Sequence, residues 1–219
     1  MRAGIIQPNY IPWRGYFDFI ASCDVFVVLD TVQYTKQDWR NRNRIKLHAG
    51  SVWLTVPIRA CHEDTKILDV EVLEGWPASH RKMLEQSFCK SPYKRVAMDV
   101  WERGALESNN LAVIDLSLIC SVCEFLGIGT KIVCASSLDA QGSKTDLVID
   151  ICEKVGADTY LSGPSAKYLD EGKMNDAGIG VEWKKYDYKP YEQPWGEFDG
   201  AVTVLDLIAN TGPRAVEYL

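Results

Sequence analysis

Asp24-Val25-Phe26-Val27-Val28-Leu29-Asp30 is an unbroken apolar run, rich in β-branched residues and closed by a carboxylate at each end. It sets the narrowest limit on the fold. A strand with one wet face alternates polar and apolar residues, whereas a strand with neither face polar must be covered twice. Such strands belong to parallel sheets, whose crossovers are usually helices packed on the two faces. Ala3 to Ile6, stopped by Gln7-Pro8, reads as an earlier buried strand. Gly15 to Ser22, carrying Tyr16, Phe17, Phe19 and Ile20, reads as the helix between them. The chain therefore opens with a tight βαβ unit.

The same alternation returns between 109 and 161. Asn109-Asn110 caps a helix over Leu111 to Leu126 that ends at Gly127. Lys131 to Ala135 is a strand, Lys144 to Val155 a helix ended by Gly156, and Thr159 to Leu161 a strand. Further helices are expected at Ser79 to Cys89, Tyr93 to Trp101 and Val202 to Ala209, and a strand at Val181 to Tyr186. Ile45 to Leu47 and Val52 to Ile58 flank a turn at Ala49-Gly50 and read as a hairpin, and Thr65 to Leu73 alternates like one more strand. The expected fold is α/β and Rossmann-like: a mostly parallel sheet, helices on both faces, and a small antiparallel β-hairpin insertion within 45–73. One domain over 1–219 suits the length and the lack of any evident linker.

The net charge is −6, so any anion site must be a local basic patch, and nucleic acid is not the expected main target. Seven cysteines, an odd number set mostly in apolar surroundings, point to reduced thiols and a cytoplasmic protein. The opening residues turn polar too soon for a signal peptide, and no run of about 18 apolar residues is present, so no membrane span is expected. Cys120 and Cys123 share a helix face without a second Cys or His pair, which reads as core thiols, with no metal and no cofactor indicated. Of the three histidines, His48 falls in the hairpin turn, His80 at a helix start, and His62 in a polar loop.

Two stretches carry the chemistry. The first is the loop after the opening strand, where open α/β sheets place ligands. Gln7, Asn9 and Tyr10 offer hydrogen bonds, Trp13 and Tyr16 offer stacking faces for a sugar or base, and Gly15 lets backbone approach a ligand. The competing reading is a rigid aromatic turn that only packs. The second stretch runs from Asp30 through Gln33, Lys36, Trp39, Arg40, Asn41, Arg42, Asn43 and Arg44 to Lys46. In an extended chain the arginines share one face while Trp39, Asn41, Asn43 and Ile45 share the other. Arginine grips phosphate or carboxylate with a planar fork that lysine lacks. A solvated charged edge strand is the alternative. Asp30 stands where such sheets often put a functional carboxylate, though it equally suits a turn cap. Lys36 is a charge clamp or, if desolvated, a nucleophile. Ser162-Gly163-Pro164-Ser165, continuing to Lys167 and Tyr168, is a third strand-to-helix loop suited to an anion, as is Ser136-Ser137.

These segments also carry a resemblance. Ile5-Ile6-Gln7-Pro8-Asn9-Tyr10-Ile11-Pro12-Trp13-Arg14-Gly15-Tyr16-Phe17 resembles the opening signature of WbqC-like proteins. So do Leu29 to Tyr34 followed by Trp39 to Asn43, Phe125 to Ile128 running to Ser136-Ser137, Gly156 to Gly163, and Leu205-Asp206. The resemblance implies a bacterial role in surface-polysaccharide (O-antigen, lipopolysaccharide) or modified nucleotide-sugar biosynthesis. The implied activity is a transferase attaching an acyl or aminoacyl group to an amino sugar. The expected partners are a nucleotide-linked amino sugar and an acyl or aminoacyl carrier protein, with the oligomeric state open. In that scheme Arg40, Arg42 and Arg44 hold phosphates or an activated carboxylate, Trp13, Tyr16 or Trp39 stacks, and Asp30 is the candidate base or ammonium-binding group, since amine attack needs a free amine. The alternative is a non-catalytic module that binds a nucleotide-sugar or carrier protein.

Overall fold

The structure, a computed structural model, describes residues 1–105, 108–164, 166 and 169–219. In chain order its elements are β1 (Arg2–Ile6), α1 (Arg14–Ala21), β2 (Val25–Val28), β3 (Arg42–Leu47), β4 (Gly50–Thr55), α2 (Trp76–Ser87), α3 (Lys94–Gly104) and α4 (Leu111–Leu126). Then follow β5 (Lys131–Cys134), α5 (Lys144–Val155), β6 (Thr159–Ser162), α6 (Glu171–Asp176), β7 (Gly180–Trp183) and α7 (Val204–Thr211). These form two compact units: Met1–Gln7, Asp18–Val32 and Gly129–Asp187 in the first, and Pro8–Phe17, Gln33–Ile128 and Tyr188–Leu219 in the second.

The first unit holds the five-stranded sheet, in the order β5-β2-β1-β6-β7, with every neighbouring pair parallel. All four residues of β2 are buried, as its uniform apolar run requires. Ala3, Ile5, Val25, Val27 and Tyr160 turn one face onto Leu147, Val148, Ile151 and Cys152 of α5 and Met174 of α6. On the other face Phe19 of α1 meets Phe26 edge-on, with ring centroids 6.2 Å apart. Gly4 lets α1 come this close, since a Cβ there would overlap the Phe19 ring and lie 2.5 Å from Cys23 Sγ. The sheet runs outward from β1 in both directions, so its topological switch point lies between β1 and β6. Helix α6, capped by the Asp170 side chain on Lys173 N–H, went unforeseen because its six residues carry little apolar pattern.

The second unit holds the hairpin of β3 and β4, paired from Arg42 with Thr55 to Leu47 with Gly50. Its turn is His48-Ala49. α3 packs on α4, where Gly104 carries no side chain because a Cβ would sit 2.7 Å from Leu118 Cα. The Asn110 side chain caps α4, and Gly127 closes it at φ 68°. Two expectations are corrected here. Thr65 to Leu73 is not a strand: Ile67–Asp69 is a 3-10 turn, flanked by single antiparallel bridges such as Ile58 with Val72. Ile67 and Val70 are buried at 3-10 spacing and Val72 is buried at its bridge to Ile58, while Leu73 is 42% exposed. Cys120 is exposed on α4, and only Cys123 of that pair is a core thiol. All seven cysteines are free thiols. Among the described residues no helix is long and apolar enough to cross a membrane.

Candidate functional site

The loop Pro8 to Pro12 is sewn to Trp39 to Asn43 inside the second unit. Tyr10 N–H donates to Trp39 O at 3.0 Å. Asn43, 2% exposed, donates both amide hydrogens, to Tyr10 O at 3.2 Å and Ile11 O at 2.8 Å, while its Oδ1 accepts Arg44 N–H at 2.7 Å. These bonds hold Ile11, a buried β-branched residue, at φ 34°. That left-handed backbone costs roughly 1–3 kcal/mol and persists only where neighbours enforce it. The pairing of the two sequence stretches is therefore a property of the fold.

Beside this seam is a cavity of about 460 Å³, lined by Asn9, Pro12, Trp13, Arg14, Trp39, Asn43, Tyr188, Gly200 and Ala201. A cavity of this size takes a ligand as large as a nucleotide or a sugar derivative. Trp13 stands edge-on to Tyr188, 5.7 Å between centroids. Its indole folds back over Gly15, where a Cβ would lie 2.5 Å from Cη2. The bare Cα of Gly15 therefore receives Trp13. Trp39 is 40% exposed and tilts against Trp53, which is 43% exposed, at 5.2 Å.

The expected arginines are engaged by protein groups. Arg40 donates to Asn9 Oδ1 and pairs with Asp38 Oδ2 at 3.3 Å. Arg42 lies 4.2 Å over the Trp53 ring and donates to Gln37 O. Arg44 pairs with Asp199 at 3.1 Å, and Lys46 reaches Gln193 Oε1 at 2.8 Å. Asn41 is buried and holds Val56 O at 2.9 Å. Gln33 donates to Glu63 O, and Lys36 is exposed. Tyr10 and Tyr16 are core residues, 0% and 3% exposed, and burial raises both phenol pKa values. The Tyr10 hydroxyl sits 2.7 Å from His80 Nδ1 and accepts from Trp101 Nε1 at 3.4 Å. His80, within α2 rather than at its start, is pulled down to about 4 by burial, against the Thr55 carbonyl.

The remaining expected residues lie in the first unit, at the carboxyl ends of its strands. Gln7 follows β1. Asp30, 5% exposed, follows β2 and accepts from Ser136 N–H at 2.9 Å and Ser136 Oγ at 2.6 Å, so it caps the turn after β5. Ser162, fully buried, ends β6 and is followed by Gly163, beside the switch point. Ser165, Lys167 and Tyr168 lie outside the described residues.

Arg14 was not foreseen. It is 5% exposed, at the start of α1, and donates from Nη1 to Lys189 O at 2.9 Å and Tyr218 O at 3.3 Å. Its signal in the sequence was its place straight after Pro12-Trp13. Tyr188, Gly200 and Ala201 come from a segment with no pattern of its own, which buried Asp206 anchors by accepting from Tyr191 Oη at 2.8 Å and Gln193 Nε2 at 2.7 Å.

The model of the WbqC-like protein family matches residues 7–218. The uncharacterized protein Rv1507c of Mycobacterium tuberculosis is 38% identical over 224 residues, spanning 100% of this chain and 97% of that protein. No solved structure matches.

Proposed function

This chain belongs to the WbqC-like protein family, and from that premise we propose that it binds a nucleotide-linked amino sugar and serves transfer of an acyl or aminoacyl group to it in bacterial surface-polysaccharide biosynthesis. The supporting observation is the cavity in which Asn9 and Trp13 meet Trp39 and Asn43. Indole and phenol faces suit a base or sugar ring, and the amide of Asn9 suits its hydroxyls. In this reading the amine of the bound sugar attacks an acyl group that arrives on a carrier, losing its proton as the carrier leaves.

A second reading, a module that binds the nucleotide-sugar and hands it to another enzyme, draws on the lining itself, which among the described residues contains no carboxylate or imidazole. One experiment separates the two. A thermal-shift screen with nucleotide-linked amino sugars finds the ligand: at 100 times Kd the stabilisation is about 2.7 kcal/mol, a rise of roughly 5–10 °C for a chain of this size. Trp39→Ala abolishes that rise with little effect on the unliganded melting temperature. Mass spectrometry of the bound sugar with acyl and aminoacyl donors then reports product. Product from any donor supports the transferase, whereas binding without product from any donor supports delivery. No stabilisation by any nucleotide-sugar defeats both.

A further inference from the structure

Arg14 carries a charge that its surroundings do not answer. Of the cations in the 40–46 stretch, Arg40 pairs with Asp38 and Arg44 with Asp199, while Arg42 lies over the Trp53 ring and Lys46 donates to Gln193; none of the four lines the cavity. Arg14 enters no ion pair among the described residues. Its neighbours are neutral. They are two backbone carbonyls on Nη1 and the rings of Tyr188, Tyr191 and Phe198, at 4.6, 5.5 and 5.6 Å from Cζ. Nε is buried with no acceptor. Burial lowers its pKa from the usual arginine value, against the opposing pull of Tyr191 and Tyr188. A guanidinium stays protonated in proteins, and a buried one without a counter-charge is a standing penalty unless something supplies the charge. Arg14 lines the cavity together with Gly200, where a Cβ would lie 3.8 Å from Nη2. A Cβ at 200 would also lie 3.1 Å from Phe198 Cε1, so the bare Cα sits in a narrow gap between that ring and the guanidinium.

We infer that Arg14 is the receptor for one anionic group, phosphate or carboxylate, of the molecule bound in this cavity. This rests on reading the cavity as the ligand site, and it moves anion recognition from the arginines of the 40–44 stretch to the helix start. The planar fork and its aromatic collar favour an anion over a neutral hydroxyl cluster.

The test is calorimetric titration of the full chain with each ribonucleoside, its 5′-monophosphate, inorganic phosphate and acetate. In the wild type a monophosphate binds at least about 10-fold tighter than its nucleoside, as one charge-assisted contact provides. In Arg14→Met the gap closes while nucleoside affinity holds, and Arg14→Lys recovers only part of it. Gly200→Val keeps the guanidinium and narrows the gap by filling the space beside it. It decides the question if Arg14→Met fails to fold. A full gap in Arg14→Met, or in Gly200→Val where that variant must decide, overturns the inference, as does equal binding of nucleoside and monophosphate to wild type. That last result leaves the nucleotide-sugar reading standing. Arg14-dependent binding of phosphate without any nucleoside or nucleotide binding does the reverse. Arg14-dependent binding of acetate in preference to phosphate identifies the group as a carboxylate, and no binding of any probe overturns both.

Discussion

Tyr10→Phe tests the hydrogen-bond chain that braces the cavity loop from beneath. Trp101 Nε1–H only donates, so the Tyr10 hydroxyl accepts from it and donates onward to His80 Nδ1. His80 then carries its proton on Nε2, 3.0 Å from the Thr55 carbonyl. The phenyl ring that remains after the substitution keeps the packing against Trp76, 5.8 Å away by centroid. The change therefore isolates the loss of one hydroxyl. It leaves an indole N–H and an imidazole nitrogen buried and unanswered, each worth about 1–3 kcal/mol. The Trp101 contact is long, so we place the total at roughly 2–4 kcal/mol, read by urea unfolding at pH 7.5. His80 adds a pH signature. Its folded pKa is depressed to about 4 from 6.5. Between these values the unfolded chain binds a proton that the folded chain refuses, so stability falls as pH drops through this window, by up to about 3 kcal/mol. His80→Leu flattens that slope. A Tyr10→Phe protein within about 0.5 kcal/mol of wild type, with ligand affinity lost instead, refutes the bracing role and returns Tyr10 to ligand contact.

Two further outcomes follow from buried positions of the second unit. Asp115 is fully buried in α4 with neither carboxyl oxygen bonded, and burial raises its pKa well above the usual value, with Arg40 opposing. The unfolded chain ionises this group above about pH 4 while the folded chain keeps the proton, so its contribution to stability shrinks as pH rises toward the folded pKa. Asp115→Asn therefore melts higher than wild type at pH 7.5 and loses that advantage near pH 4, and a lower melting point at both pH values contradicts this account. Gly104→Ala drives a methyl into the Leu118 backbone and parts α3 from α4. Calorimetry should show a loss of about 1–3 kcal/mol, and an unchanged melting temperature would mean the helices stand farther apart than described.

The parallel sheet was legible because its signals are local. Val25 to Val28 has no polar residue to turn outward, and Gly127 and Gly156 mark helix ends by adopting the left-handed conformation a glycine tolerates best. Helices α4 and α5 accordingly begin and end where composition places them. Thr65 to Leu73 deceived because Leu68, Val70 and Val72 fall on a period of two while Ile67 and Val70 fall on a period of three. Only the burial of 67 with 70 separates the cases, and burial is a tertiary fact.

The site was legible in half. Polar residues between prolines and tryptophans announced a built loop, and Asn41 and Asn43 had to be satisfied if buried; both stretches meet as that logic required. What sequence could not show is which positive charge is left over. In a stretch of alternating arginines every guanidinium looks equally available, and pairing is decided by residues far along the chain: Asp199 answers Arg44 across 155 positions. Arg14, a single cation among aromatics, reads as an ordinary helix-start residue until its environment is known. Its distinction is to line the cavity with neutral neighbours, namely the Lys189 and Tyr218 carbonyls and a collar of rings. A paired arginine must first give up its carboxylate before it can hold a ligand, and of the two arginines here without one, Arg14 lines the cavity and Arg42 does not, which is the ground for proposing Arg14 as the anion receptor.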